Sequence, residues 1–379
     1  MTETARATAG LRLAGRDLPV LDRARVYCCG ITPYDVTHLG HAATFVWVDV
    51  LGRVLRAVGL DVRLCRNDTD VDEVLFAAAE RSGSAFDAFA AVQEFRFEQD
   101  MTALGVREPE YAPRARRNVS QVIRLADGLL HTGAAYLRDG TVYFRGAATA
   151  EVAGLTRDAA QTLAAEYGAR LDDPAKDDKL DVAVWRRSLP GEPGWPSAWG
   201  TGRPGWHAEC AAMSVSVLGL AVDVLAGGAD LAFPHHAFQA AMAQAVTGVR
   251  PYARAIFEVG VVSFGGVKMA KSTGNLVLVS DVLADHPAAA LRLCLIDRPW
   301  SRGWEYSPGE LAAATARLER LYQAAGRSAV GSGRAQEAAA AAITNALCDD
   351  LDVPTALGIA EEAGGAAARS LIATLGLSE

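Results

Sequence analysis

The chain has 379 residues, of which 50% are hydrophobic and 22% charged, with a formal net charge of −8. This length and apolar share allow a large buried core and two or three domains, while the acidic balance disfavours a protein that grips a long polyanion through a basic face. No N-terminal stretch joins a basic start, an apolar run and a small-residue cleavage site, and runs such as SVSVLGLAVDVLAGG are too short and too Gly-broken to cross a bilayer, so a cytoplasmic protein with no membrane contact is expected.

From RARVYCCG an apolar, β-prone run ends at Gly30, and after a turn HAATFVWVDVLGRVLRAVG carries apolar positions at helical spacing. LDVRLCRNDTD then returns to a strand pattern, which completes a strand, helix, strand unit. The expected fold is therefore α/β, a doubly wound parallel sheet, with ligands beyond the carboxyl ends of its strands. Residues 1–75 read as the first half of that nucleotide-binding domain and residues 76–199 as a mainly helical insertion, with a short strand pair around AAYLRDGTVYFRG. A loop rich in Gly, Pro and Trp, LPGEPGWPSAWGTGRPGWH, leads into the second half at 200–262. Residues 263–300 form a polar loop and linker, and 301–379, rich in alanine, a C-terminal helical bundle.

In THLGH, His38 and His41 are three apart, so at a helix start both imidazoles project from one face beside a terminus that attracts phosphate. Gly40 between them removes a side chain where a ligand would approach the backbone. Downstream, GGVKMAKSTGN sets Lys268 and Lys271 three apart on a Gly-rich loop, where two ammonium groups would neutralise charge on a departing pyrophosphate. A third group is softer. The six cysteines (Cys28, Cys29, Cys65, Cys210, Cys294, Cys348) are scattered in a chain large enough to fold without staples, which favours free thiols or metal ligands over a disulfide framework. Cys28 or Cys29, Cys210 in GWHAEC, and His235 or His236 in FPHHAF all fall at strand ends or helix starts of the same sheet. Two thiolates and one imidazole suit Zn²⁺ with a fourth position open. Adjacent strand residues face opposite ways, so only one of Cys28 and Cys29 serves, and spacing does not choose between them.

HLGH and KMAKS resemble the HIGH and KMSKS signatures of class I aminoacyl-tRNA synthetases. YCCGITPYDVTHLGHAATF, NDTDVDE, GRPGWHAEC, GGADLAFPHH and KMAKSTGN together resemble, from about residue 25 to 360, the cysteinyl-tRNA synthetases and more closely the mycothiol-pathway ligases that join cysteine to glucosaminyl-inositol. The resemblance implies a Rossmann-like catalytic domain of class I type and an ATP-dependent, AMP-forming carbon–nitrogen ligase. It implies Cys29, Cys210 and His235 as zinc ligands, with His38, His41, Lys268 and Lys271 catalytic. Thr37, Gly40 and Ser272 would join those four around ATP and its Mg²⁺, while Gly30, Thr32, Thr69, Trp206 and Asp230 would surround the aminoacyl adenylate. The implied partners are L-cysteine, ATP and a small amine acceptor, with the protein a monomer. After KMAKS only about a hundred residues follow, enough for one helical bundle but too few for an anticodon-reading domain as well, so tRNA is not the expected acceptor.

The chain also departs from these relatives. Gln239 stands where the synthetases carry the glutamate that completes the zinc shell, Ala237 replaces an earlier glutamate, Arg298 to Ser301 read RPWS, and AGGAD replaces GGGSD. Such changes keep other readings open: a cysteine-activating paralogue that serves another amine or a carrier protein, a shortened cysteinyl-tRNA synthetase, or an inactive nucleotide-binding paralogue.

Overall fold

The computed structural model describes residues 10–34, 36–270, 273–327 and 333–378. RARVYCCGI forms strand β1 (Arg23–Ile31), and from Val26 to Cys29 every residue is buried. A run apolar on both faces belongs in a parallel sheet covered on both sides by helices. Helix α1 (Leu39–Ala57) supplies one cover and leads to β2 (Asp61–Asp68), which pairs parallel with β1 from Arg23↔Asp61 to Cys28↔Arg66.

After the insertion, α2 (Trp206–Leu218), β3 (Val222–Gly228), α3 (Ala237–Thr247) and β4 (Ala253–Val259) complete a four-stranded parallel sheet of order β4-β3-β1-β2. The chain leaves β1 toward β2 on one side and later adds β3 and β4 on the other. The loops after β1 and β3 therefore diverge, opening the crevice in which doubly wound sheets hold ligands. Alternation along β1 divides the core: Val26 and Cys28 pack with α1, whereas Tyr27 and Cys29 pack with Cys210 and Leu218 of α2. All six cysteines are free and buried.

The insertion contains the expected helices, among them Phe86–Ala103 and Val119–His131, and the expected hairpin Ala135–Arg138 with Thr141–Phe144. That hairpin extends into a four-stranded antiparallel sheet through Val182–Arg187 and Gly202–Pro204. The last two strands escaped the sequence reading for a simple reason. Gly202–Pro204 is only three residues long and has no period to read, and it becomes a strand because Trp185 pairs with Pro204 across the sheet. Val142, Phe144, Val184 and Trp185 close a second core against Val122 and Leu129.

Beyond β4, helix α4 (Ala288–Ile296) packs on α1, and the alanine-rich tail forms the expected bundle of Pro308–Gly326, Gly333–Cys348, Val353–Ala363 and Gly365–Leu375. Among the described residues no helix is long and apolar enough to cross a membrane.

One buried guanidinium joins bundle and sheet. Arg292, on α4, donates from Nε to the Leu375 carbonyl (2.7 Å), from Nη1 to the Leu104 carbonyl (3.0 Å) and from Nη2 to the Asp49 carboxylate of α1. Arg53 Nε and the Arg107 amide also donate to Asp49, at 2.6 and 3.1 Å. Removing one partner of a buried pair leaves the other charge uncompensated. Asp49→Asn is therefore expected to lower the urea unfolding free energy by about 3–5 kcal/mol; a loss no larger than the roughly 1 kcal/mol of an exposed pair would refute this role.

Candidate functional site

The end of β1 sets the site. The register of β1 on β2 shifts between Cys28 and Ile31. At Gly30 the two strands approach so closely that a β-carbon would lie 1.7 Å from the Asn67 carbonyl oxygen. The Gly30 amide donates to the Asn67 side-chain oxygen at 3.1 Å, and the Cys210 thiol points to the same oxygen at 3.6 Å. Alternation along β1 turns Cys29 toward α2, so of the two thiols that spacing left open it is Cys29 that meets Cys210, while Cys28 lies on the α1 face.

The donor atoms of Cys29, Cys210 and His235 all lie within 4.8 Å of one another, and all three residues are buried. His235 Nε2 is 3.3 Å from Cys210 Sγ, and the imidazole stacks on Trp206 with ring centroids 4.3 Å apart. His236 faces elsewhere, with Nδ1 3.0 Å from Glu258 Oε1. Burial pushes the Cys29 thiol well above its usual range and the His235 imidazole well below, which favours a neutral thiol beside an unprotonated ring. Bonds of 2.0–2.3 Å to a tetrahedral metal would space such donors roughly 3.5–3.8 Å apart, and a divalent cation reverses the burial effect by favouring thiolates. The donor set fits a soft metal ion.

Behind these three stand residues that sequence reasoning left without a role. His207 Nδ1 lies 3.0 Å from His235 Nδ1, and burial holds His207 neutral, its pKa lowered to about 3. A neutral ring there can accept the Nδ1 proton of His235, the tautomer that leaves His235 Nε2 free to ligate. The Cys29 thiol donates to Gln239 Oε1 at 3.2 Å, so the amide at the position of the absent glutamate meets the cluster as a neutral acceptor. Ala237 opens α3 and packs toward the second core. Asn67 and His207 act through residues far away in the chain, and no local pattern marks them.

The cluster lies at one end of a cavity of about 330 Å³ whose wall also includes Gly30, Thr32, Thr69, Trp206, Asp230 and Lys268, together with His38, Gly40 and His41. His38 is the N-cap of α1, its Nδ1 accepting from the Gly40 amide at 3.1 Å, which puts the proton of the neutral ring on Nε2. Its ring lies 3.9 Å, centroid to centroid, from that of His41. A β-carbon at Gly40 would come within 2.8 Å of His38 Cε1, so the glycine makes room for the capping imidazole while it lines the cavity. Asp230 accepts from Lys268 Nζ at 2.6 Å, and Tyr167 donates its hydroxyl proton to the Asp230 carbonyl at 2.6 Å. A cation entering at Asp230 therefore competes with Lys268.

Thr37 is not part of this wall. It is 5% exposed, and its carbonyl accepts from the Val279 amide at 3.1 Å, because the residue before the histidine cap is extended and fastened to the linker beyond the lysine loop. Lys271 and Ser272 lie outside the described residues.

Residues 19–316 match the family of tRNA synthetases class I (C) catalytic domain. The L-cysteine:1D-myo-inositol 2-amino-2-deoxy-alpha-D-glucopyranoside ligase of Mycolicibacterium vanbaalenii is 43% identical over 344 residues, which are 88% of this chain and 79% of that one. The ligase of the same name from Streptomyces griseus is 39% identical, with 96% of each chain covered. Among solved structures, Mycobacterium tuberculosis methionyl-tRNA synthetase bound by methionyl-adenylate superposes with a TM-score of 0.66 at 16% identity, over 93% of this chain and 84% of that one, a likeness of fold. With a parallel sheet whose switch point carries the H-L-G-H helix start, and with most of its length matched, the chain belongs to the class I (C) tRNA synthetase catalytic-domain family, among ligases.

Proposed function

We propose that the protein activates L-cysteine as cysteinyl adenylate and transfers it to the amine of glucosaminyl-inositol, forming an amide and releasing AMP. The observation that carries this reading is the meeting of Cys29, Cys210 and His235 in one cavity with His38, His41 and Lys268. A thiol-selecting donor set and a phosphate-handling set then lie on either side of one small substrate. The acceptor is supported by the names of the relatives, which are 39–43% identical to this chain over the aligned residues.

Cys29, Cys210 and His235 would hold Zn²⁺, which when bound favours a substrate thiolate over a hydroxyl that neither deprotonates nor coordinates comparably. The chain's own groups do the rest. Asp230 takes the α-ammonium and releases Lys268, Trp206 walls the amino acid, and Thr32 and Thr69 offer hydroxyls. One cysteine carboxylate oxygen attacks the α-phosphorus of Mg²⁺-bound ATP, forming a P–O bond as the bond to pyrophosphate breaks. His38, through Nε2–H, and His41 stabilise the charge on the phosphorus oxygens, while Lys268 and Lys271 hold the leaving pyrophosphate. The lone pair of the acceptor amine then attacks the adenylate carbonyl carbon. The C–O bond to phosphate breaks, AMP leaves with its electron pair, and the surplus proton on nitrogen passes to AMP or water.

Purified protein is expected to exchange pyrophosphate into ATP with cysteine and not serine, and to yield the cysteinyl amide by mass when glucosaminyl-inositol is added. Exchange with equal response to serine would sink the first half; exchange without that amide would sink the second. Cys210→Ser is expected to reduce bound zinc well below about one ion per chain and to abolish cysteine-dependent exchange. Zinc content and thiol preference equal to those of the wild type would exclude Cys210 as a ligand. His207→Phe is expected to weaken zinc about 10–100-fold in chelator competition, and an unchanged affinity would remove His207 from any role in orienting His235.

A further inference from the structure

A second cavity, of about 350 Å³, lies beyond Trp206 and Tyr167, which line both it and the reaction cavity. The partition is one layer of rings thick, with Trp206 stacked on Tyr167 at a centroid distance of 6.0 Å. His207, whose ring touches His235, forms part of the same far wall. Nothing in the activation step uses this space.

Its lining is built by the antiparallel sheet of the insertion and the loop that follows the helix Arg157–Glu166. Donors and acceptors alternate there. Tyr143 donates to Asp173 at 2.9 Å, and Arg203 donates to Glu192 at 2.7 Å. Among the described residues Arg170, Lys176 and Arg187 line the cavity without forming a salt bridge, and burial holds the Lys176 ammonium below its usual range. Carboxylates that accept beside guanidinium and ammonium groups that donate are the complement of hydroxyl groups, each of which does both.

We propose that this second cavity binds the polyhydroxylated body of the amine acceptor, whose amine reaches past the edge of Trp206 to the adenylate. The assignment rests on the acceptor reading above and adds a location and a recognition chemistry to it.

The test uses the full chain with ATP, cysteine and glucosaminyl-inositol, and reads pyrophosphate exchange and amide formation separately. Lys176→Ala and Arg187→Ala are each expected to raise KM for glucosaminyl-inositol about tenfold or more, the usual effect of losing a hydrogen bond to a charged group, and to leave cysteine-dependent exchange unchanged. Amide formation with an unaltered KM in both variants overturns the pocket alone. Exchange that falls in step with amide formation also overturns it, since the residues would then serve activation or folding. Wild-type protein that exchanges yet makes no amide with this acceptor overturns the acceptor reading and the pocket with it.

Discussion

The contact of Gly30 with the Asn67 carbonyl is the constraint from which the site follows. Alternation sets Cys29 under α2, and just beyond it the two parallel strands, pressed together at Gly30, shift register as the chain climbs away to the cap at His38. Asn67 holds both sides of the junction, taking the Gly30 amide and the Cys210 thiol on one oxygen while its amino group donates to Thr69 Oγ1 at 3.1 Å. An alanine at Gly30 would push β1 from β2, and the thiol pair, the imidazole and the H-L-G-H start would lose their common origin together. The chemistry is exposed at a switch point, yet its placement is a property of backbone packing.

Much of this was legible because it is written in short-range pattern. The run RARVYCCG, its turn and the helical spacing that follows are local signals, and so is the pair of imidazoles three residues apart, whose rings do meet. The choice of Cys29 over Cys28 was not legible from spacing, since a one-residue shift in register exchanges the faces of a strand and only the neighbouring strand and α2 fix it. Asn67 and His207 were invisible for the same reason in stronger form: Asn67 meets Cys210 across 143 residues, and His207 meets His235 across 28. Thr37 reads as part of the phosphate loop because it adjoins His38, but its backbone is fastened to Val279. Gly40 was read correctly as a place where a side chain is excluded, although what fills the space is the protein's own imidazole.

The pairing of Lys268 with Asp230 ties the two halves of the reaction cavity together. The carboxylate that suits an α-ammonium and the ammonium that suits a pyrophosphate neutralise each other when neither substrate is there. On the proposed reading, a substrate ammonium that takes Asp230 frees Lys268, so occupation of the amino acid side would prepare the phosphate side without any movement of the sheet. The converse also holds, since triphosphate that draws Lys268 away leaves Asp230 with an unmet negative charge for the ammonium. Linkage of this kind is reciprocal, and it favours the state in which both substrates are bound.

Burial favours the neutral forms of Cys29 and His235. With no cation near, a buried Cys29 keeps its proton and donates it to Gln239, and His235 stays neutral with its Nδ1 3.0 Å from His207 Nδ1. Each neutral group is one deprotonation or one lone pair away from ligating, and each has a neutral partner behind it. A glutamate in place of Gln239 would add a negative charge and close the shell; on the zinc reading proposed above, two thiolates would balance one divalent ion and a substrate thiolate would meet no carboxylate there. On this view the departure at Gln239 is compatible with thiol capture, because what discriminates sulfur from oxygen is the donor set of Cys29, Cys210 and His235, and Gln239 acts on it only through a hydrogen bond.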